Sequence, residues 1–110
     1  MSKPKGPKTL KIEYSADDGR YTVSVEYLYK RMLKYTHIGK VYPIHTQAVL
    51  KVNGFVKAFS TITKHDADEE NMKYAFFTVT KNVFNEYKPS KEIRIHIWDA
   101  LENYFETLEE

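Results

Sequence analysis

The sequence predicts an α+β domain: an antiparallel sheet of about four strands, built from two β-hairpins, with two to three helices packed on one face. Three observations point there. Asp18-Gly19 and Asn53-Gly54 each separate runs of alternating apolar and polar residues, the pattern of tight hairpins whose central residues take φ > 0. The second half then changes period, with apolar residues recurring every three or four positions over 66–87 and again over 90–110, as on one side of a helix. A sheet with one apolar face and helices with one apolar stripe bury both by layering.

With 110 residues, 42% hydrophobic and 15% aromatic, the chain suits one domain around one core. Residues 1–7, "MSKPKGP", offer nothing to bury and are expected to form a flexible basic lead-in. The globular domain is expected to span 8–110.

The first hairpin is read from "TLKIEYSADDGRYTVSVEYL". Centring it on Asp18-Gly19 pairs Tyr14 with Val23, Ile12 with Val25 and Leu10 with Tyr27 on one face. Lys11 then falls opposite Glu26 and Ser15 opposite Thr22 on the other, so register and amphipathicity agree.

The next stretch, "YLYKRMLKYTHIGK", interleaves rings and cations. Laid on a helix over Leu28–His37 with Gly39 as the C-terminal cap, it separates them. Leu28, Tyr29, Met32, Leu33 and Tyr35 share one arc, and Lys30, Arg31, Lys34 and His37 share the other. This reading turns the tyrosines inward and leaves a cationic ridge outside.

A second hairpin, "TQAVLKVNGFVKAFSTIT", turns at Asn53-Gly54 and sets Val49 opposite Ala58 and Leu50 opposite Lys57. That alternation is imperfect, as in a strand covered on both faces or one carrying a bulge. A helix follows over 66–87. Asp66 with Glu69 resembles a capping box, and Met72, Ala75, Phe76, Val79, Val83 and Tyr87 form the stripe. Phe77 and Phe84 lie at its edge. "YAFFTVT" has enough β propensity to keep a strand open over 74–80. The last helix starts after Pro89 with Ser90 as N-cap and buries Ile93, Ile97, Leu101, Tyr104 and Leu108, leaving Ile95 on the polar side. "IRIHI" leaves a strand open over 92–98.

Catalytic motifs are scarce. There is no cysteine, which removes disulfides, thiolate ligands and a Cys nucleophile. Neither G-x-x-x-x-G-K, G-x-G-x-x-G nor G-x-S-x-G occurs. His37, His45, His65 and His96 lack metal-site spacing. "DADEENM" opens like a calcium loop but has Asn71 where that loop needs Gly and Phe77 where it needs Glu. Asp17-Asp18 sit at a turn, and Glu102, Glu106, Glu109 and Glu110 fall on the outer side of the last helix. The expectation is therefore a chain that is not an enzyme, with no catalytic residue, cofactor or metal. No secretory leader or membrane span is read, and a cytoplasmic place follows, in the host if the source is viral.

Binding is the remaining class. The net charge is +2, divided as nine basic against four acidic residues over 1–40, six against five over 41–88 and two against six over 89–110. Such a dipolar chain steers partners. For a protein partner, the favoured reading, the anchors expected are Tyr74, Phe77 and Phe84. A homodimer is compatible with it. The alternative is sequence-tolerant RNA or DNA binding by Lys30, Arg31, Lys34 and Lys40.

Two resemblances bear on this choice. "VNG" at Val52–Gly54 followed by an apolar-rich helix resembles the latter part of a double-stranded-RNA-binding domain. That family carries phosphate-gripping lysines at the start of this helix. Here the region reads Asp66, Asp68, Glu69 and Glu70, so the activity is not carried over. The stretch "VLKVNGFVKAFSTITKHDADEENMKYAFFTV", with the small size and Lys/Glu/Tyr-rich composition, is similar to small accessory proteins of phages and archaeal viruses, including anti-defence proteins. That resemblance implies a virus-encoded stoichiometric binder or inhibitor of a host protein.

Overall fold

The computed structural model of the chain describes residues 8–31, 34–41, 43–64 and 72–109. Strands β1 (Lys8–Ala16), β2 (Tyr21–Arg31), β5 (Ile44–Val52) and β6 (Phe55–Lys64) form an antiparallel sheet in the order β1-β2-β5-β6. Between β2 and β5, strands β3 (Lys34–Thr36) and β4 (Gly39–Val41) pair with each other alone. Helices α1 (Met72–Glu86) and α2 (Lys91–Glu109) follow. The architecture is the α+β arrangement expected, a meander covered on one face by two helices.

The first hairpin adopts the expected register, with Tyr14 opposite Val23, Ile12 opposite Val25 and Lys11 opposite Glu26. Asp18 at φ 56° and Gly19 at φ 88° supply the left-handed turn that the Asx-Gly pair encodes.

The expected helix over Leu28–His37 is not there. β2 runs on to Arg31, and β3 takes Lys34–Thr36. Val23, Val25, Tyr27 and Tyr29 are buried at every second position, which is the period of a strand and not of a helix. β2 is also an inner strand, bonded to β1 on one side and β5 on the other. Those two ladders outweigh a helix of some ten residues, which is marginal on its own. Gly39, read as a helix cap, instead takes φ 121° beside the turn joining β3 to β4.

The second hairpin turns at Asn53 (φ 51°) and Gly54 (φ 85°). Its expected register holds only next to the turn, where Val52 faces Phe55 and Lys51 faces Val56. A bulge then shifts the frame, so Leu50 faces Ala58 and Val49 faces Phe59, not Lys57 and Ala58. Lys57 is the extra residue. Without the shift Lys57 would lie opposite buried Leu50; with it, Ala58 takes that place in the core and Lys57 is exposed.

Both helices hold through the stretches that leave a strand open on propensity. The capping start at Asp66 and Glu69 and the lead-in over 1–7 lie outside the described residues. α1 buries Ala75, Phe76, Val79, Thr80, Val83 and Phe84. In α2 the Ser90 carbonyl accepts from Arg94 N–H at 3.0 Å, as an N-cap residue does. Ile93, Ile97, Leu101 and Phe105 are buried there. Phe105 takes the core place expected of Leu108, which is exposed, and Ile95 faces solvent as its position predicts.

Phe76 is the centre of the core. Its ring stacks on Tyr27 at 4.9 Å and meets Tyr29 at 6.1 Å and Phe105 at 5.4 Å edge-on. The Tyr27 hydroxyl donates to Thr80 Oγ1 (2.6 Å), which donates to the Phe76 carbonyl (2.7 Å). This relay satisfies two buried hydroxyls that would otherwise be costly. Burial raises the Tyr27 pKa strongly, against a smaller lowering by the Thr80 hydrogen bond. No helix among the described residues is long and apolar enough to cross a membrane.

Candidate nucleic-acid interface

Two pairings define an arm. Arg31 faces Ile44 at the end of the main sheet, and Lys34 faces Val41 at the start of the β3–β4 ribbon. Two residues separate these pairs on each strand, so the β3–β4 pairs have the same numerical register as the β2–β5 pairs and come after the last rungs made by β1 and β6. No other described element packs extensively against β3 or β4. The molecule reaches 53 Å along its longest axis, more than the roughly 36 Å that the longest sheet strand spans at about 3.3 Å per residue.

The tip is tightly built. Thr36 faces Gly39, leaving His37 and Ile38 as the turn. Thr36 Oγ1 donates to the Gly39 carbonyl (3.1 Å) and accepts from Ile38 N–H (3.3 Å), the local bonding by which threonine holds turns. Ile38 is thereby held 79% exposed. Tyr35, opposite Lys40, is 71% exposed, and Lys40 Nζ lies 5.9 Å from its ring centroid, within cation–π range. The expectation that Tyr35 turns inward is corrected. A ribbon standing clear of the helices has no core for it to enter.

Register also places the cations. Lys30 sits opposite His45, and Arg31 and Lys64 both flank Ile44. Lys8, at the start of β1, faces Tyr29. The arm and its root therefore carry Lys30, Arg31, Lys34, Lys40 and Lys64. From Tyr27 through Lys64 the sequence has no Asp or Glu at all. That acid-free run is visible in the sequence, but dividing the chain at residue 40 splits it. It brings the expected Lys30, Arg31, Lys34 and Lys40 into one ribbon, and it adds Tyr35, His37 and Ile38, which the helical reading misses.

The open face of the sheet is different. It holds a depression of about 570 Å³ lined by Thr9, Lys11, Glu26, Leu28, Gln47 and Val49, among others. Away from the arm root, two of its cations are answered within the sheet, Lys51 by Glu26 at 2.8 Å and Lys11 by Glu13 at 3.4 Å. Such partly exposed pairs add little stability but cancel the local field.

The three expected protein anchors are not equivalent. Phe84 is only 7% exposed and meets Trp98 edge-on at 5.9 Å, so it is a core residue and not an anchor. The wide arc of α1 places it beneath α2. Phe77 is half-buried between Trp98 (5.5 Å) and Phe105 (6.3 Å). Tyr74 is 69% exposed. A second exposed apolar group, Phe55, Val56 and Phe59, lies on the edge strand β6. The Phe59 N–H points away from β5 toward Glu86 Oε2 at 3.5 Å.

Among the described residues no group of three or more His, Asp or Glu side chains is placed to hold a metal ion. His96 Nε2 donates to the Glu13 carbonyl (3.1 Å) and its ring meets Tyr14 edge-on, so it ties α2 to β1. His65 lies outside the described residues. No family model, curated protein or solved structure matches the chain.

Proposed function

We propose that this protein is a non-catalytic, sequence-tolerant nucleic-acid binder that grips phosphates with the β3–β4 arm and its basic root. The observation that supports it is the exposed pair Tyr35 and Ile38 beside Lys40, on a ribbon within an acid-free run that also supplies Lys30, Arg31 and Lys34. Cations neutralise phosphates and give affinity without sequence choice, while an exposed ring or aliphatic tip contacts bases of any identity. A helix over 28–37 would hide the tyrosines and argue against this reading. A ribbon does not hide Tyr35.

The test is binding of the full chain to random-sequence duplex and single strands across a salt series. Dissociation constants of about 10⁻⁴ to 10⁻⁶ M near physiological salt, tightening steeply as salt falls, are expected of such an electrostatic grip. Absence of binding even at about 50 mM salt contradicts the proposal.

A second reading is a stoichiometric binder or inhibitor of a host protein, virus-encoded and acting in the host cytoplasm. The exposed Phe55, Val56 and Phe59 on an edge strand favour it, with Tyr74 as a separate anchor. Edge strands with apolar side chains are receptive to partners. A one-to-one complex with a defined host protein that is lost in Phe55→Ser/Phe59→Ser and kept after charge reversal of the arm would place this reading first.

A further inference from the structure

Resting on the nucleic-acid reading, we infer that the partner is duplex DNA, and that the arm enters its major groove with Ile38 pressed against a base step, bending the helix. Several features carry this. The arm is a two-stranded antiparallel ribbon with no described element packed extensively on it, and the B-form major groove admits such a ribbon while the A-form RNA groove is too narrow. Three to four residues of ribbon project about 10 Å beyond the Lys34–Val41 pair at roughly 3.3 Å each. That matches a groove about 8.5 Å deep, so the tip meets the floor while its flanks stay at the phosphates.

Charge and shape are distributed to suit. The most exposed large apolar side chain among the described residues, Ile38, is at the tip, where base edges lie, and Lys34, Lys40, Lys30 and Arg31 follow toward the root, where the backbones lie. The two Thr36 hydrogen bonds pre-form the turn, so little order is lost when it docks. Single-strand binding calls for a series of rings along a channel. Among the described residues the arm presents two exposed rings, Tyr35 and the His37 imidazole, both within the last few residues of the ribbon, and the open sheet face one, Phe59. Two rings and an aliphatic side chain gathered within four residues of one tip touch the nucleic acid at a point, not along a track. Apolar wedges that minor-groove binders insert between base steps unstack them and kink the duplex, most easily at pyrimidine–purine steps, and in the inferred complex Ile38 presses on such a step from the major-groove side.

The experiment uses the full chain and a duplex of about 20 base pairs, labelled at both ends for energy transfer and carrying 2-aminopurine at a central TA step. The wild type is expected to bring the ends together and to raise the 2-aminopurine fluorescence. Ile38→Ser should bind within a few-fold of wild type, because its cations still meet the phosphates, yet lose both signals. Ile38→Leu should restore them. An unchanged thermal midpoint in all three confirms that the arm change leaves the fold alone. Binding without bending or fluorescence change overturns the inference and leaves the proposed function standing. So does tighter binding to single strands than to duplex, or full bending by Ile38→Ser. Failure of the wild type to bind any nucleic acid at low salt removes both.

Discussion

The β2–β5 and β3–β4 ribbons share one pairing frame, yet they do opposite things with the same residue types. In the first, Tyr27 and Tyr29 lie beneath α1, and both rings meet Phe76, Tyr27 by stacking. In the second, Tyr35 lies beneath no described element and shares its face with Lys40. A tyrosine in a strand is thus a core residue or a docking residue according to whether a helix reaches over it. The covered ribbon should respond to mutation through stability, and the uncovered one through binding.

The largest effect is expected at Phe76→Ala. It removes a fully buried ring that touches Tyr27, Tyr29 and Phe105, and should cost about 3–5 kcal/mol in urea unfolding. A loss below about 1 kcal/mol would mean that the covered ribbon is not the centre of the core.

Next comes charge reversal on the uncovered side. Lys30→Glu/Lys40→Glu should leave the urea midpoint nearly unchanged. It should lower the slope of log K against log salt by about 0.9 for each duplex phosphate that is no longer neutralised. An altered midpoint with an unaltered slope would reverse the roles assigned to the two ribbons.

Tyr27→Phe is a smaller probe of the covered side. It deletes the hydroxyl that donates to Thr80 and should cost about 1 kcal/mol at neutral pH, seen as a lower urea midpoint. Its pH dependence has a definite sign. Burial raises the Tyr27 pKa in the folded state, so above about pH 10 the unfolded chain loses the proton first and stability falls as pH rises. The phenylalanine variant should fall less steeply there. Tyr21, raised by desolvation and then by Tyr87, titrates in the same direction and remains in both proteins. Equal alkaline slopes in the two would remove Tyr27 from this role. Smallest of all, Tyr35→Ser should shift stability by less than about 0.5 kcal/mol, measured by thermal unfolding, while weakening nucleic-acid binding.

Much of the fold is readable because its signals are local. The Asp18-Gly19 turn and the alternation around it determine one register, and the 3.6 periodicity of 72–109 determines two helices. The bulge at Lys57 is harder, since only the packed core distinguishes Leu50 opposite Ala58 from Leu50 opposite Lys57. The misreading of Leu28–His37 as a helix has the same origin. Its apolar residues satisfy a helical arc as well as a strand face, and the deciding partners, β1 and β5, are far along the chain or not yet reached. Of the candidate site, the cations are readable from composition, and so is the acid-free run from Tyr27 to Lys64. Exposure of Tyr35 and Ile38 is not, because it follows from where the helices stop. The same dependence on α2 buries Phe84.

The central claim is that the arm touches nucleic acid and does not support the fold. The most direct measurement is the affinity of wild type and Lys30→Glu/Lys40→Glu for one random-sequence duplex from about 50 to 200 mM salt, a range over which phosphate neutralisation dominates the response. The account predicts a steep linear fall for the wild type and a shallower, weaker line for the variant at equal thermal stability. Parallel lines of equal affinity, or no binding by the wild type at the lowest salt, would contradict it.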